Sequence, residues 1–373
     1  MTKTFSLRQR RTAGFHKIIG GNLQAGLKPI LALTFGLTVG AVAILALGKS
    51  PFAAYEALIQ GAFGSRENLA GTLIKTTPLI LTGLAVAVAF RAGLFNIGAE
   101  GQLYMGGIAA TWAGIYAEGV PGSLHIILVF LAGFFAGAVW GAIPGWLKAH
   151  RGVHEVINTI MMNYLAIYFT TYMVMGPMSV DDFTNKTHEI ASTAKLGVLW
   201  DIPAAELSWG LLFAIAAAFL IHILLRRTTM GFQIQAVGYN PAAARYSGIC
   251  VGRTLVLVMA LCGGCAGLAG TIEVTGLHHR FYAQFSPGYG FDGIAVALLA
   301  RNHPLGILLA ALLFGALRTS DRLMQLQAGV PRDMVFVVQA AVIFFMSIDI
   351  LRPISRRWRE IGNGNGRRKE VNE

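Results

Sequence analysis

The sequence predicts an all-α, polytopic membrane helix bundle of about ten transmembrane helices, and three observations carry that reading. Of 373 residues, 55% are hydrophobic and only 13% charged, against about 25% charged in ordinary soluble domains. The apolar residues fall in long runs, at 29–47, 69–90, 124–147, 208–225 and 334–348, each near the roughly 20 residues that cross a bilayer. The basic residues gather outside those runs. Six Lys/Arg and no acid lie in the first 28 residues, and seven Lys/Arg with three acids in the last 22. Basic segments beside membrane spans mark the cytoplasmic side. The net charge of +12 is therefore read as membrane topology and not as nucleic-acid binding.

Three regions follow: a cytoplasmic basic segment over 1–28, a transmembrane domain over 29–351, and a cytoplasmic basic tail over 352–373. The first span, near 29–48, leaves the cytoplasm. Its basic lead resembles a signal peptide, but the run is too long for one and predicts an uncleaved anchor. An amphipathic external helix is expected in PFAAYEALIQGAFGSRE. The second span, 69–90, returns inward and the third, 93–116, goes out. The fourth, 124–147, returns to Lys148, His150 and Arg151. Its Gly133, Gly137, Gly141 and Gly145 share one face at a four-residue period, which suits close backbone packing. The fifth span, 154–175, goes out to a loop over 177–206 with five acids and two lysines, a bias that fits the outside. The sixth, 207–225, returns to Arg226 and Arg227 and a basic cytoplasmic loop over 226–252. The seventh covers 253–273, and the last three lie near 290–301, 304–318 and 333–351, which leaves both termini inside.

Some chemistry is excluded. Cys262-Gly-Gly-Cys265 sits in an apolar, glycine-rich run and reads as helix packing, not as a metal or redox site. Gly48-Lys49-Ser50 looks like the end of a phosphate-binding loop, but the required glycine is Ala43 and no strand precedes it. No metal-ligand spacing, cofactor motif or nucleophile with a base is found, so no catalytic residue is assigned.

Two glycine-rich polar breaks interrupt the oily chain, FNIGAEGQ in the first half and SPGYGFDGIAVALLARNHPLG in the second. Their matching placement suggests a candidate inverted repeat with interrupted helices. Asn96, Glu100 and Gln102 would be costly facing lipid, and an intramembrane carboxylate is a functional candidate. Two roles stand open: lining a solute path, or capping a kinked helix. The fifth span adds Asn158 and Asn163, with His154, Glu155 and Thr159. Interhelical hydrogen bonds or contact with a polar solute both explain them.

FRAGLFNIGAEGQLYMGG, KAHRGVHEVINTIMMNY and FQIQAVGYNPAAARYSGI, in that order, resemble the permease subunits of ABC importers for simple sugars and nucleosides, in the ribose/branched-chain amino acid permease superfamily. The resemblance covers roughly 30–350 and is closer in wording to the nucleoside type. It implies an inner-membrane importer subunit, with the solute path formed against a second permease subunit, identical or homologous. It also implies a separate ATP-binding cassette ATPase and an extracytoplasmic solute-binding protein. The path residues would be Asn96, Glu100, Gln102, Asn158 and Asn163. In the third motif, Asn240-Pro241 fits a helix start and Ala242–Ala244 a short helix ended by Gly248. That segment, with Gly238, Asn240, Pro241, Ala243, Ala244, Arg245 and Gly248, resembles the loop that couples to the ATPase. An ion-coupled transporter of a polar solute is the rival reading.

Overall fold

The computed structural model describes residues 31, 33–117, 119–180, 184–202, 205–331 and 333–347. The basic segments 1–28 and 352–373, with Asp181 and Asp182 of the large loop, lie outside the described residues.

Apolar runs and turn signals divide the chain into helices, as expected. They are α1 (Leu33–Ala46), α2 (Pro51–Phe63), α3 (Arg66–Arg91), α4 (Ala99–Tyr116), α5 (Gly122–Arg151), α6 (Glu155–Met175), α7 (Gly210–Arg227), α8 (Thr229–Tyr239), α9 (Pro241–Tyr246), α10 (Val251–Glu273), α11 (Tyr289–Leu299), α12 (Pro304–Ala328) and α13 (Met334–Ser347). A π-helical turn, Val274–His278, prolongs α10. Among the described residues, α3, α5, α7, α10 with its π turn, and α12 are long and apolar enough to cross a membrane. Each of the ten expected spans overlaps one helix.

The helices fall into two units. One holds the chain's two ends, to Pro51 and from Asp333. In it, Phe35 of α1 stacks on Phe345 of α13 at 5.2 Å between ring centroids. The other, Phe52–Arg332, is built around α3. That helix is buried on every side from Thr76 to Ala89, as suits a helix apolar all round. Its threonines bond back one turn, Thr76 to the Thr72 carbonyl at 2.7 Å and Thr82 to that of Pro78 at 3.0 Å.

Beside it, α4, α5 and α10 pack through glycines. A Cβ on Gly137 would meet the Gly263 carbonyl oxygen at 2.2 Å, one on Gly267 that of Gly133 at 2.4 Å, and one on Gly270 that of Leu103 at 2.1 Å. The glycine face expected on the fourth span is thus pressed against α10, main chain to main chain. Cys262 and Cys265 are buried free thiols in that helix, on either side of glycines that meet Gly137 and Phe134.

Four expectations need correcting. The third span was to start at 93, but α4 begins at Ala99, because residues 92–98 form a turn with Gly93 at φ +73°. The ninth span, expected over 304–318, runs on to Ala328, because Arg318 is buried and ion-paired rather than a charged stop. The basic loop 226–252 contains α8 and not only one short helix. The protein is not wholly α-helical either, since Val198–Trp200 pairs antiparallel with Leu207–Ser208. That loop is strapped to the 278–285 segment. The amide of Thr187 donates to the Phe281 carbonyl at 2.9 Å, and the amide of Ile190 to that of His279 at 2.9 Å. Glu189 pairs with both Lys195 and Arg280, and the Lys195 hydrogen bond, with its charge, holds the carboxyl below the usual range.

Candidate functional site

The first polar break is closed by its own side chains. The first amides of any helix lack intrahelical partners, and α4 finds them in asparagines. Asn96 Oδ1 accepts from the Gly98 amide at 3.0 Å. Asn96 and Gln102 exchange amide hydrogen bonds at 3.1 and 3.3 Å. Asn163, reaching over from α6, accepts from the Gly101 amide at 2.8 Å and donates to the Ile97 carbonyl at 2.9 Å. All three side chains are buried. The structure thus joins Asn96, Gln102 and Asn163 in one network.

Glu100 is buried as well but turns the other way. Its Oε2 accepts from the Gly290 amide, in the first turn of α11, at 2.6 Å. A Cβ on Gly290 would meet the Glu100 amide nitrogen at 2.2 Å, so the two breaks touch backbone to backbone. From the far side, Arg318 of α12 is ion-paired with Asp292, donates to the Pro287 carbonyl at 3.0 Å and lies over the Tyr289 ring at 5.3 Å. The start of α11 is therefore held between Glu100 and Arg318. Gly290, Asp292 and Arg318 were not singled out from sequence. Two opposite charges inside apolar runs, Asp292 and Arg318, were the signal that would have found them.

Asn158 stands apart. Its Nδ2 is buried without a partner among the described side chains. It lies at helical spacing with Met161, Leu165, Tyr168 and Tyr172, all exposed, and Tyr164 beside them is exposed too.

The third motif folds as its residues require. Asn240 Oδ1 accepts from the amides of Ala242 and Ala243 at 3.0 and 3.1 Å, Pro241 is the first residue of α9, and Gly248 has φ +83° just past its end. Ala244 is buried in a small cluster with Val237 and Val251. A Cβ on Gly238 would meet the Arg91 carbonyl oxygen at 2.1 Å. Gly238 and Ala244 thus fix the turn to the body, whereas Asn240, Pro241, Ala243, Arg245 and Gly248 are exposed. Tyr239 and Tyr246, at 86% and 94% exposure, flank them and were missed. Their sequence signal was two aromatics within a polar turn. No group of three His, Cys, Asp or Glu side chains suited to a metal occurs among the described residues.

Residues 68–347 match the family described as branched-chain amino acid transport system / permease component. The guanosine ABC transporter permease protein NupP of Bacillus subtilis (strain 168) is 41% identical over 325 residues, 86% of this chain and 92% of that one. The nucleoside ABC transporter permease protein NupB of Lactococcus lactis subsp. cremoris is 41% identical over 333 residues, 87% of this chain and 91% of its own. The glucose ABC transporter permease protein TsgB13 of Haloferax volcanii is 37% identical over 327 residues, 85% and 86% of the two chains. With a match running from α3 to α13 and relatives covered almost end to end, the chain belongs to this permease family: it is a multi-pass transport subunit of the inner membrane, not an enzyme, and works with a separate ATPase and a solute-binding protein.

Proposed function

We propose that this chain pairs with a second permease subunit, identical or homologous, to form the path for a nucleoside or a simple sugar. The observation that carries the path is the outward face of α6. Tyr164 and Tyr168 fall in the middle of a 21-residue helix, where a phenol facing hydrocarbon has no hydrogen-bond partner and is costly. Asn158, half-buried at the edge of the same face, has a buried amide nitrogen without a partner among the described residues. A wet path between two permeases satisfies the phenols, and Asn158 borders it. Of the five residues expected along it, Asn158 is the one on that face. Asn96, Gln102, Asn163 and Glu100 make the wall behind it and hold its shape. A polyhydroxylated or heterocyclic solute suits amide and phenol groups, and the relatives' names, guanosine, nucleoside and glucose, support that class.

In this reading all ten expected spans cross, the loop 177–206 faces the solute-binding protein, and both termini and α8–α9 are cytoplasmic. The exposed residues of α9, with Arg245 foremost, dock into the ATPase. The meeting of the two breaks at Glu100 and Gly290 supports a pair of related halves.

Uptake of labelled guanosine and glucose into vesicles carrying the assembled transporter tests the path. Replacing Asn158 by Leu is expected to lower uptake about tenfold, the worth of one lost polar contact, at unchanged thermal stability. Asn163→Leu is expected to lower stability instead. Unaltered uptake by Asn158→Leu removes α6 from the path, and uptake that persists without the ATPase restores the ion-coupled rival.

A further inference from the structure

We infer that a phosphate-bearing anion, the headgroup of an anionic phospholipid, seats between α7 and the α11–α12 turn, against Arg226 and His303. Three helix ends meet there, on the membrane face that also carries α8 and α9: Arg91 closes α3, His222 and Arg226 lie one turn apart at the end of α7, and residues 301–303 lead into α12.

The imidazole of His303 carries the argument. Its Nδ1 accepts from the Gly306 amide at 3.3 Å, capping α12. Its Nε2 lies 3.3 Å from Arg226 Nη2. A neutral imidazole has one acceptor nitrogen and one N–H. If Nδ1 accepts, Nε2–H points at a guanidinium N–H. If Nε2 accepts instead, Nδ1–H points at the Gly306 amide. Either tautomer leaves two donors facing each other, and an acceptor set beside Arg226 and Nε2–H relieves the conflict. Other groups extend the site. The His222 ring lies 5.3 Å from that of His303, and its Nδ1 is buried without a partner among the described residues. Arg91 donates to the Asn302 carbonyl at 3.1 Å. Burial holds the His303 pKa low, and among the described residues the charges that add to it are Arg226, His222 and Arg91, with no carboxylate among them. Uncompensated guanidinium groups favour phosphate.

The source is argued from the flank. Phe219 and Ile223 are exposed on α7, at 49% and 51%, and lead to Arg226 at helical spacing. An acyl chain laid on that ridge brings its phosphate to the guanidinium, as expected where basic side chains meet anionic lipid.

Thermal unfolding of the full-length chain in detergent, with added lipid, tests the site. Phosphatidylglycerol is expected to raise the midpoint and phosphatidylcholine to leave it. Arg226→Gln, at an exposed position, is expected to need about tenfold more phosphatidylglycerol for the same shift, whereas Arg227→Gln matches the parent. His303→Gln repeats the loss but also removes a cap, so Arg226→Gln decides. Stabilisation by inorganic phosphate alone, lost in Arg226→Gln, keeps the anion site and assigns it to soluble phosphate. Equal shifts with both lipids, or an Arg226→Gln variant that titrates like the parent, overturn it.

Discussion

At the scale of single residues, the polar atoms of the two breaks do structural work that their chemistry makes easy to mistake for binding alone. Asparagine serves both as acceptor for an orphan helix amide and as donor to a loop carbonyl, and Asn163 does both at once for a neighbouring helix. Glu100 does the same service for α11 through the Gly290 amide. An added methyl at Gly290 has no room, because what it meets is backbone. Gly290→Ala is expected to cost about 2 kcal/mol or more, read as a lower unfolding midpoint. Glu100→Gln, which keeps an acceptor for the Gly290 amide, is expected to cost less than Glu100→Ala, which leaves that amide unpaired. Equal midpoints for the two Glu100 variants would show that the contact with α11 does not matter.

At the scale of elements, small residues decide which helices touch. The seam of α4, α5 and α10 brings Gly133, Gly137, Gly263 and Gly267 into main-chain contact. Gly137→Ala is expected to destabilise by about 1–3 kcal/mol, as overpacking does. Gly252→Ala, near the start of α10, meets only Ala149 Cβ at 3.7 Å and is expected to be neutral or to stabilise by about 0.5–1 kcal/mol through helix propensity. Calorimetry on both variants separates the seam from a general dislike of alanine. This face of α5 was legible in the sequence because a four-residue glycine period states it outright. The start of α9 was legible for a similar reason: Asn-Pro spells out a cap and a first turn in adjacent residues. α8 was hidden, since TMGFQIQAVGY carries a glycine at each end and reads as loop until Thr228 is seen to cap it. The clasp of Gly290 by Glu100 was hidden more deeply. The partners are 190 residues apart, and no local period encodes which polar break finds which.

At the scale of the whole molecule, the assignment to a transport subunit rests on the family match, and the proposed coupling rests on what α8 and α9 present. Their inward residues, Gly238 and Ala244, anchor the turn, and their outward ones are free to meet a partner. Arg245→Glu and Tyr246→Ala are therefore expected to reduce co-purification of the ATPase at least several-fold while leaving the unfolding midpoint unchanged, since loss of a central contact at an interface costs about 2 kcal/mol. Gly238→Val is expected to lower the midpoint. Full ATPase recovery with both outward variants would place the docking surface elsewhere. The glycine seam bears on how such a machine moves. Elements that switch do so by clicking between alternative side-chain packings, and where carbonyl lies against glycine there are no rotamers to exchange. The three helices so joined have nothing to shift into. They are expected to travel as a single plate, so that the stroke of each cycle falls outside the seam.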